Sequence, residues 1–241
     1  MSVQQNKNKG FFIVGTDTEI GKTIVGASLL VALAELNFKT IGIKPITSDS
    51  TLTTNGLRNN DALLLQKHAT KFIAYDQINP FAFKQQITPH LAAKQENINL
   101  TVAGILAKTK LAMMYPVDYV IIEGIGGLYV PLNSQETMID LIKAYNYPVI
   151  LVAGIKSGCI NHALLTQACL KHANISVTGW VANNVYPYNL YDDAHIRAIN
   201  ERIEAPLLGT IPYQKNLIFK NTLRFFNENF SSLCARKLRL C

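Results

Sequence analysis

The stretch Gly15 to Thr23, GTDTEIGKT, ends in Gly21-Lys22-Thr23 after a run of apolar residues. At the start of a helix such a trio presents free backbone N–H groups and the positive end of the helix dipole to a phosphate. Lys22 would add a point charge for the outer phosphate oxygens, and the Thr23 hydroxyl is a ligand for Mg²⁺. Five residues separate Gly15 from Gly21, where the usual phosphate loop has four. The widened loop carries Asp17 and Glu19, which have a use beside a triphosphate if they orient a lysine or an amine, or meet Mg²⁺ through water. Gly-Lys-Thr alone also occurs at ordinary helix starts and surface turns, so the strand before it and the helix after it carry the reading.

Four more places offer chemistry. Glu123 closes the apolar run YVIIE and precedes Gly124, Ile125, Gly126 and Gly127. An acid there suits Mg²⁺ and the glycines admit a close backbone approach, whereas the plainer alternative is a turn cap. Lys44 follows IGI and precedes Pro45, which holds it extended; it points into a crevice or is merely solvated. Asp61 in LRNNDALLLQ is either a helix cap or a metal ligand, and spacing does not separate the two. KSGCINHALLT (156–166) reads as a helix start whose N–H groups suit a carboxylate, with Cys159 and His162 more simply explained by packing or capping than by reactivity. Asn183 and Asn184 follow a strand and can read a base edge. The guanine-reading Asn-Lys-x-Asp is absent, which favours adenine.

The elements that must position these groups are short, β-branched and apolar throughout: 10–15, 40–45, 118–124, 148–154, 176–183 and 205–212. Continuous apolar character is required of strands buried on both faces. Helix-like segments intervene at 21–36, 98–114, 136–145, 160–173 and 190–203. This alternation predicts an α/β fold, a mostly parallel central sheet with helices on both faces. Ligands of such sheets bind beyond the carboxyl ends of the strands, and the Gly15–Thr23 loop, Lys44, Glu123, Asn183, Asn184 and Pro212 each end or follow one. Residues 46–97 look least strand-like and read as an excursion over one edge of the sheet.

With 241 residues, 49% hydrophobic and 16% charged, the chain is long enough for one large domain, and a single domain over 1–241 is expected. Its net charge of +7 is concentrated: residues 215–241 hold six Lys/Arg against one acid, which leaves +2 for the remainder. A nearly neutral body argues against a nucleic-acid surface. Residues 1–9 are expected to be disordered. In 215–241 the aromatic run is expected to pack as a helix and the last basic residues to stay solvated. The four cysteines have no metal-ligand spacing and read as reduced thiols, and no apolar run reaches a membrane span, so a cytoplasmic protein without a membrane partner is expected.

Taken together, GTDTEIGKT, KPITS, GLRNNDALLLQ, NPFAF, TPHLAA, VIIEGIGGLYVPL, PVILVAGIKSGCINHALLT, GWVANNV and APLLGTIPY resemble dethiobiotin synthetase, in order over residues 11–213. The resemblance implies a P-loop NTPase-like fold and the closure of a ureido ring on 7,8-diaminononanoate (7,8-diaminopelargonate) with CO₂, at the expense of ATP and with Mg²⁺. It assigns catalysis to Lys44, Lys22 and Glu19, the metal to Thr23, Asp61 and Glu123, and the ATP phosphates to Glu19, Ile20, Gly21, Lys22, Thr23 and Ile24. Gly124, Ile125 and Gly126 would border nucleotide and substrate. Asn183, Asn184, Pro212, Tyr213 and Gln214 would hold adenine, with Asn184 standing where a family member has Asp. Thr18 and Ser48 would contact the diamine. The family is homodimeric, and Cys159, Ile160 and Asn161 would capture the substrate carboxylate of the neighbouring subunit. Two rivals share the nucleotide motif. A partition-type ATPase carries a second lysine early in the loop, where this chain has Thr16-Asp17-Thr18, and a cobalamin-pathway ligase usually appends a glutamine-hydrolysing domain.

Overall fold

Phe11 and Ile13 face one way from the first strand and Phe12 and Val14 the other, and each pair enters a different buried apolar cluster. A strand apolar on both sides can satisfy both faces only at the middle of a covered sheet. A computed structural model describing residues 8–215 and 219–236 places it there. In chain order the strands are β1 (Lys9–Gly15), β2 (Thr40–Ile43), β3 (Ile46–Thr47), β4 (Thr51–Thr53), β5 (Gly56–Arg58), β6 (Phe81–Ala82), β7 (Tyr119–Glu123), β8 (Val149–Ile155), β9 (Val177–Asn184) and β10 (Leu207–Ile211). The helices are α1 (Lys22–Glu35), α2 (Asn60–His68), α3 (Tyr75–Ile78), α4 (Pro89–Gln95), α5 (Val102–Met113), α6 (Met138–Tyr145), α7 (Cys159–His172), α8 (Asp192–Asn200) and α9 (Glu228–Arg236).

The main sheet runs β10-β9-β8-β1-β7-β2 with every neighbouring pair parallel. Leu29, Leu30 and Leu33 of α1 cover one face, with Phe230 and Cys234 of α9; side chains of α5 to α8 cover the other. The parallel sheet with helices on both faces is therefore as the sequence predicts, and its six strands match the six apolar runs to within two residues at each end.

The excursion at 46–97 lies along β2, the outer strand of the sheet, and is better structured than its sequence suggests. β4 and β5 form an exposed antiparallel hairpin, β3 pairs with β6, and α2 packs on α1 and β2. Gly42 permits that last contact, since a Cβ there would stand 2.9 Å from Leu65 Cβ and 3.0 Å from Leu30 Cδ1.

One expectation about the ends changes. Asn8 and Lys9 are ordered: Lys9 is in register with Tyr119, and the Asn8 amide donates to the carbonyls of Met113 (3.0 Å) and Tyr115 (2.7 Å). Those hydrogen bonds and the strand pairing tie Asn8 and Lys9 to the body; residues 1–7 lie outside the described residues. In the tail the aromatic run does pack on the body. Phe226 and Phe230 lie 4.6 Å apart between centroids in the cluster that holds Phe11 and Tyr119, and the Thr222 hydroxyl donates to the Ser28 carbonyl at 2.8 Å. The final basic residues, 237–241, lie outside the described residues.

Candidate active site

The sheet order brings the chemistry together. β7 lies between β1 and β2, with Ile13 opposite Glu123 and Ile43 opposite Ile122. Glu123 therefore ends its strand between the phosphate loop after β1 and Lys44 after β2. All three border one cleft of about 670 Å³. Of the expected site residues, Thr18, Glu19, Gly21, Lys22, Thr23, Ile24, Lys44, Ser48, Asp61, Glu123, Ile125 and Gly126 line it.

The extra loop residue has a packing explanation. Ile20 is fully buried, plugged into the core against Gly154, where an added Cβ would meet Ile20 Cβ at 2.7 Å. Its side chain is an anchor, so among the candidates for phosphate contact it offers backbone only. Its carbonyl already accepts from the Asn183 amide at 2.9 Å. With Ile20 fixed, Gly21 turns the chain into α1 at φ 84°, a left-handed conformation that glycine adopts without strain. Asp17 faces away from the phosphate seat: its carboxylate accepts from the Thr18 N–H (2.7 Å) and pairs with Lys156 (3.3 Å). Those contacts, the backbone one first, hold its carboxyl below the usual range. Its carbonyl accepts from Lys22 Nζ at 2.6 Å. Glu19, exposed and at φ 57°, is left at the rim of the cleft.

Lys44, Thr23, Asp61 and Glu123 make a single cluster. Lys44 is only 4% exposed, which removes the solvated alternative. Its ammonium donates to Asp61 at 3.1 Å and, by a short contact, to the buried Glu123 carboxylate. The Thr23 hydroxyl donates to the same Glu123 oxygen at 2.7 Å. Burial by itself lowers the Lys44 pKa, but Glu123 and Asp61 outweigh it and raise the value, so Lys44 stays an ammonium. Burial pushes the Glu123 carboxyl up, with Lys44 opposing. Lys22, 6% exposed, has less compensation: burial first, then the charge of Lys44, pushes it down to about 8. Asp61 is not the cap of α2. Asn59 takes that place, accepting from the N–H groups of Asp61 (2.9 Å) and Ala62 (3.4 Å), and so leaves the Asp61 carboxylate to Lys44.

Other expected residues lie outside the cleft. Gly124 donates its N–H to Ile13 beneath the strand ends. Asn183 is 2% exposed and its amide supports the loop from below, so it acts on the loop backbone rather than presenting an open base-reading edge. Asn184 keeps a buried Oδ1 with no hydrogen-bond partner among the described residues. It lies near Pro212, since Asn183 and Ile211 are in register; Tyr213 and Gln214 continue that end of the sheet. At the start of α7, Cys159 is 2% exposed and its N–H donates to Lys156 O at 3.0 Å. Neither group is free for a carboxylate, and the thiol is a core side chain. Ile160 and Asn161 remain accessible on that turn.

The residues that sequence reading missed are Asn59, Tyr75 and Asn79, which together with the Thr47 hydroxyl hold the Lys44 segment by buried hydrogen bonds. The one available signal was Pro80, which restricts Asn79 before it.

A family model described as an AAA domain matches residues 9–221. An ATP-dependent dethiobiotin synthetase BioD of Vibrio vulnificus is 41% identical over 221 residues, 92% of this chain and 97% of the relative. A second, from Yersinia pestis, is 40% identical over 210 residues, 87% of each chain. Among solved structures, the cell division ATPase MinD of Pyrococcus furiosus superposes with a TM-score of 0.57 at 18% identity, covering 94% of this chain and 99% of its own. The septum site-determining protein MinD of Pyrococcus horikoshii, complexed with Mg-ADP, gives 0.52 at 19%, covering 90% and 86%. At that identity the MinD likeness speaks for a shared fold alone, so it does not revive the partition-type reading. With sequence identity near 40% over most of its length and the phosphate-loop cleft in place, the chain belongs to the ATP-dependent dethiobiotin synthetase family.

Proposed function

We propose that this protein closes the ureido ring of dethiobiotin from 7,8-diaminononanoate, CO₂ and ATP, releasing ADP and phosphate. One amine of the substrate adds to CO₂ and loses a proton, giving a carbamate. A carbamate oxygen attacks the γ-phosphorus and ADP leaves. The second amine then attacks the carbonyl carbon of the mixed anhydride, phosphate leaves, and a proton is released. The observation that carries the reading is Lys44, a buried ammonium at a strand end, facing the same cleft as the phosphate loop. Charge develops on transferring phosphoryl oxygens, and a cation already fixed in place beside them stabilises it.

In this reading the N–H groups from Gly21 to Ile24 and the Lys22 ammonium hold the β- and γ-phosphates. Lys44 neutralises carbamate and γ-phosphate, and Thr18, Glu19 and Ser48 orient the diamine. The donor set suits Mg²⁺: Thr23, Asp61 and Glu123 bring hard oxygens around a positive charge, and Glu123 Oε2 is buried without a hydrogen-bond partner among the described residues. Those three residues would hold the ion, which when bound supplies charge neutralisation at the phosphate oxygens. Adenine would lie by Asn184, Pro212, Tyr213 and Gln214. A homodimer in the cytoplasm, with Ile160 and Asn161 meeting the substrate carboxylate of the other subunit and with no nucleic-acid or membrane partner, completes the proposal. Among the described residues no helix is long and apolar enough to cross a membrane.

Labelled bicarbonate tests it. Acid-stable label should form only with ATP, Mg²⁺ and 7,8-diaminononanoate together; folded protein that incorporates none under those conditions refutes the assignment.

A further inference from the structure

Lys44, Ser48 and Asp61 reach the cleft from two separate pieces of chain, and one buried hydrogen-bond path joins them. Asn79, 2% exposed, donates its amide to the Lys44 carbonyl at 2.6 Å. Its Oδ1 accepts from the Thr47 hydroxyl at 3.0 Å and from the Tyr75 hydroxyl at 2.8 Å. The Tyr75 oxygen in turn accepts the Asn59 N–H at 2.7 Å. Asn59 closes the path, since its amide donates to the Ser48 carbonyl at 2.9 Å while its Oδ1 caps α2 at Asp61 N. Tyr75 and Asn79 are the first residue and the C-cap of α3, with the Asn79 N–H bonded to the Tyr75 carbonyl at 2.8 Å.

We infer that Tyr75 and Asn79 are positioning residues: one hydroxyl and one carboxamide set the strand-end segment carrying Lys44 against the helix start carrying Asp61. The chemistry requires this particular pair. Lys44 and Asp61 meet at 3.1 Å in a cleft open to solvent, and neither backbone is part of a continuous strand at that point. The Lys44 carbonyl, beside Pro45, needs a donor from outside its own segment, and a carboxamide can both donate to it and accept from two hydroxyls. The tyrosine then acts as acceptor towards one segment and donor towards the other, a task phenylalanine cannot perform. Its ring is held independently by Arg58, whose guanidinium stands 4.1 Å from the ring centroid, so loss of the oxygen need not move the ring. Burial raises the Tyr75 pKa, which keeps the hydroxyl protonated as a donor. An active-site displacement on the order of 1 Å can cost about 100-fold in rate.

This inference rests on the proposed reaction for its catalytic readout and on hydrogen exchange for its structural one. The experiment compares the full-length protein with Tyr75→Phe and Asn79→Asp, the second keeping an acceptor but losing the donor to Lys44. Turnover should fall between about tenfold and about 100-fold in both, while the affinity for a non-hydrolysable ATP analogue changes less than about threefold, because the phosphate loop lies outside the path. Hydrogen exchange should quicken together in peptides spanning 44–50 and 59–63 and stay unchanged in 12–25. Unchanged turnover per folded molecule, or quickened exchange in only one of the two segments, overturns the inference. Protein without the proposed activity would defeat the reaction alone, since paired or unpaired exchange in the two segments still decides the coupling.

Discussion

The buried amine of Lys22 makes fold stability depend on pH, with a definite sign and size. The side chain is 6% exposed, and burial with the neighbouring Lys44 charge pushes its pKa down to about 8 from the ordinary 10.5. Between those values the unfolded chain holds a proton that the folded chain has released, so stability rises with pH across that window. Below about pH 8 the folded protein bears the whole penalty of a buried ammonium, and near pH 10.5 it bears almost none. At roughly 1.4 kcal/mol per tenfold change in proton affinity the full gap is about 3 kcal/mol, of which about 2 kcal/mol falls between pH 7.5 and 9.5. Lys22→Met keeps the apolar stem and removes the amine. Nucleotide-free protein and this variant would be unfolded in urea at both pH values, followed by the fluorescence of Trp180, the single and fully buried tryptophan. Relative to Lys22→Met, the parent should gain about 2 kcal/mol on going to the higher pH. Stability differences that match at the two pH values within about 0.5 kcal/mol would refute the account, because the pH dependence would then belong to other groups.

Three further outcomes follow from the geometry. Lys44→Gln retains a donor for Glu123 without the charge, so turnover should drop by at least about 100-fold while ATP affinity stays within a few-fold; a collapse of nucleotide binding in titration calorimetry would make Lys44 a phosphate ligand instead. Gly21→Ala should lower stability by about 1–2 kcal/mol from left-handed backbone strain, and weaken ATP binding as well, since its Cβ would stand 2.2 Å from Asn183 Nδ2 and displace the bond to Ile20. Unchanged melting and unchanged ATP titration would contradict the clamp. Phe230→Ala, at a fully buried site on α9, should cost about 3–5 kcal/mol in urea unfolding, and a loss below about 1 kcal/mol would mean that the tail is not part of the core.

Elements made of consecutive residues are legible in the amino-acid sequence itself. Phe11 to Val14, Val120 to Ile122 and Val149 to Val152 announce strands buried on both faces, because burial on two sides leaves no place for polar alternation. The phosphate loop is equally local, its strand, turn and helix start being adjacent in the chain. Side chains whose partners are remote are harder to place. Asp61 reads equally as a cap or as a ligand, and only the fold shows that Asn59, two residues earlier, is the cap. Asn183 reads as a base-reading amide, whereas its partner is the Ile20 carbonyl, 163 positions away. Cys159 stands at a helix start that suits an anion, but its thiol turns into the core.

Lys22, Thr23, Lys44 and Glu123 are thus available from residue type and strand-end position, and the parallel fold from the recurrence of apolar runs. The insertion of β7 between β1 and β2 is decided only in three dimensions, and it sets Glu123 between Lys44 and Thr23. So is the path through Tyr75 and Asn79, which no periodicity encodes. The physical reason is one of range. Apolar periodicity and backbone geometry act within a few residues, whereas the pairing of a buried charge or amide depends on which remote group the sheet order delivers within about 3 Å of it.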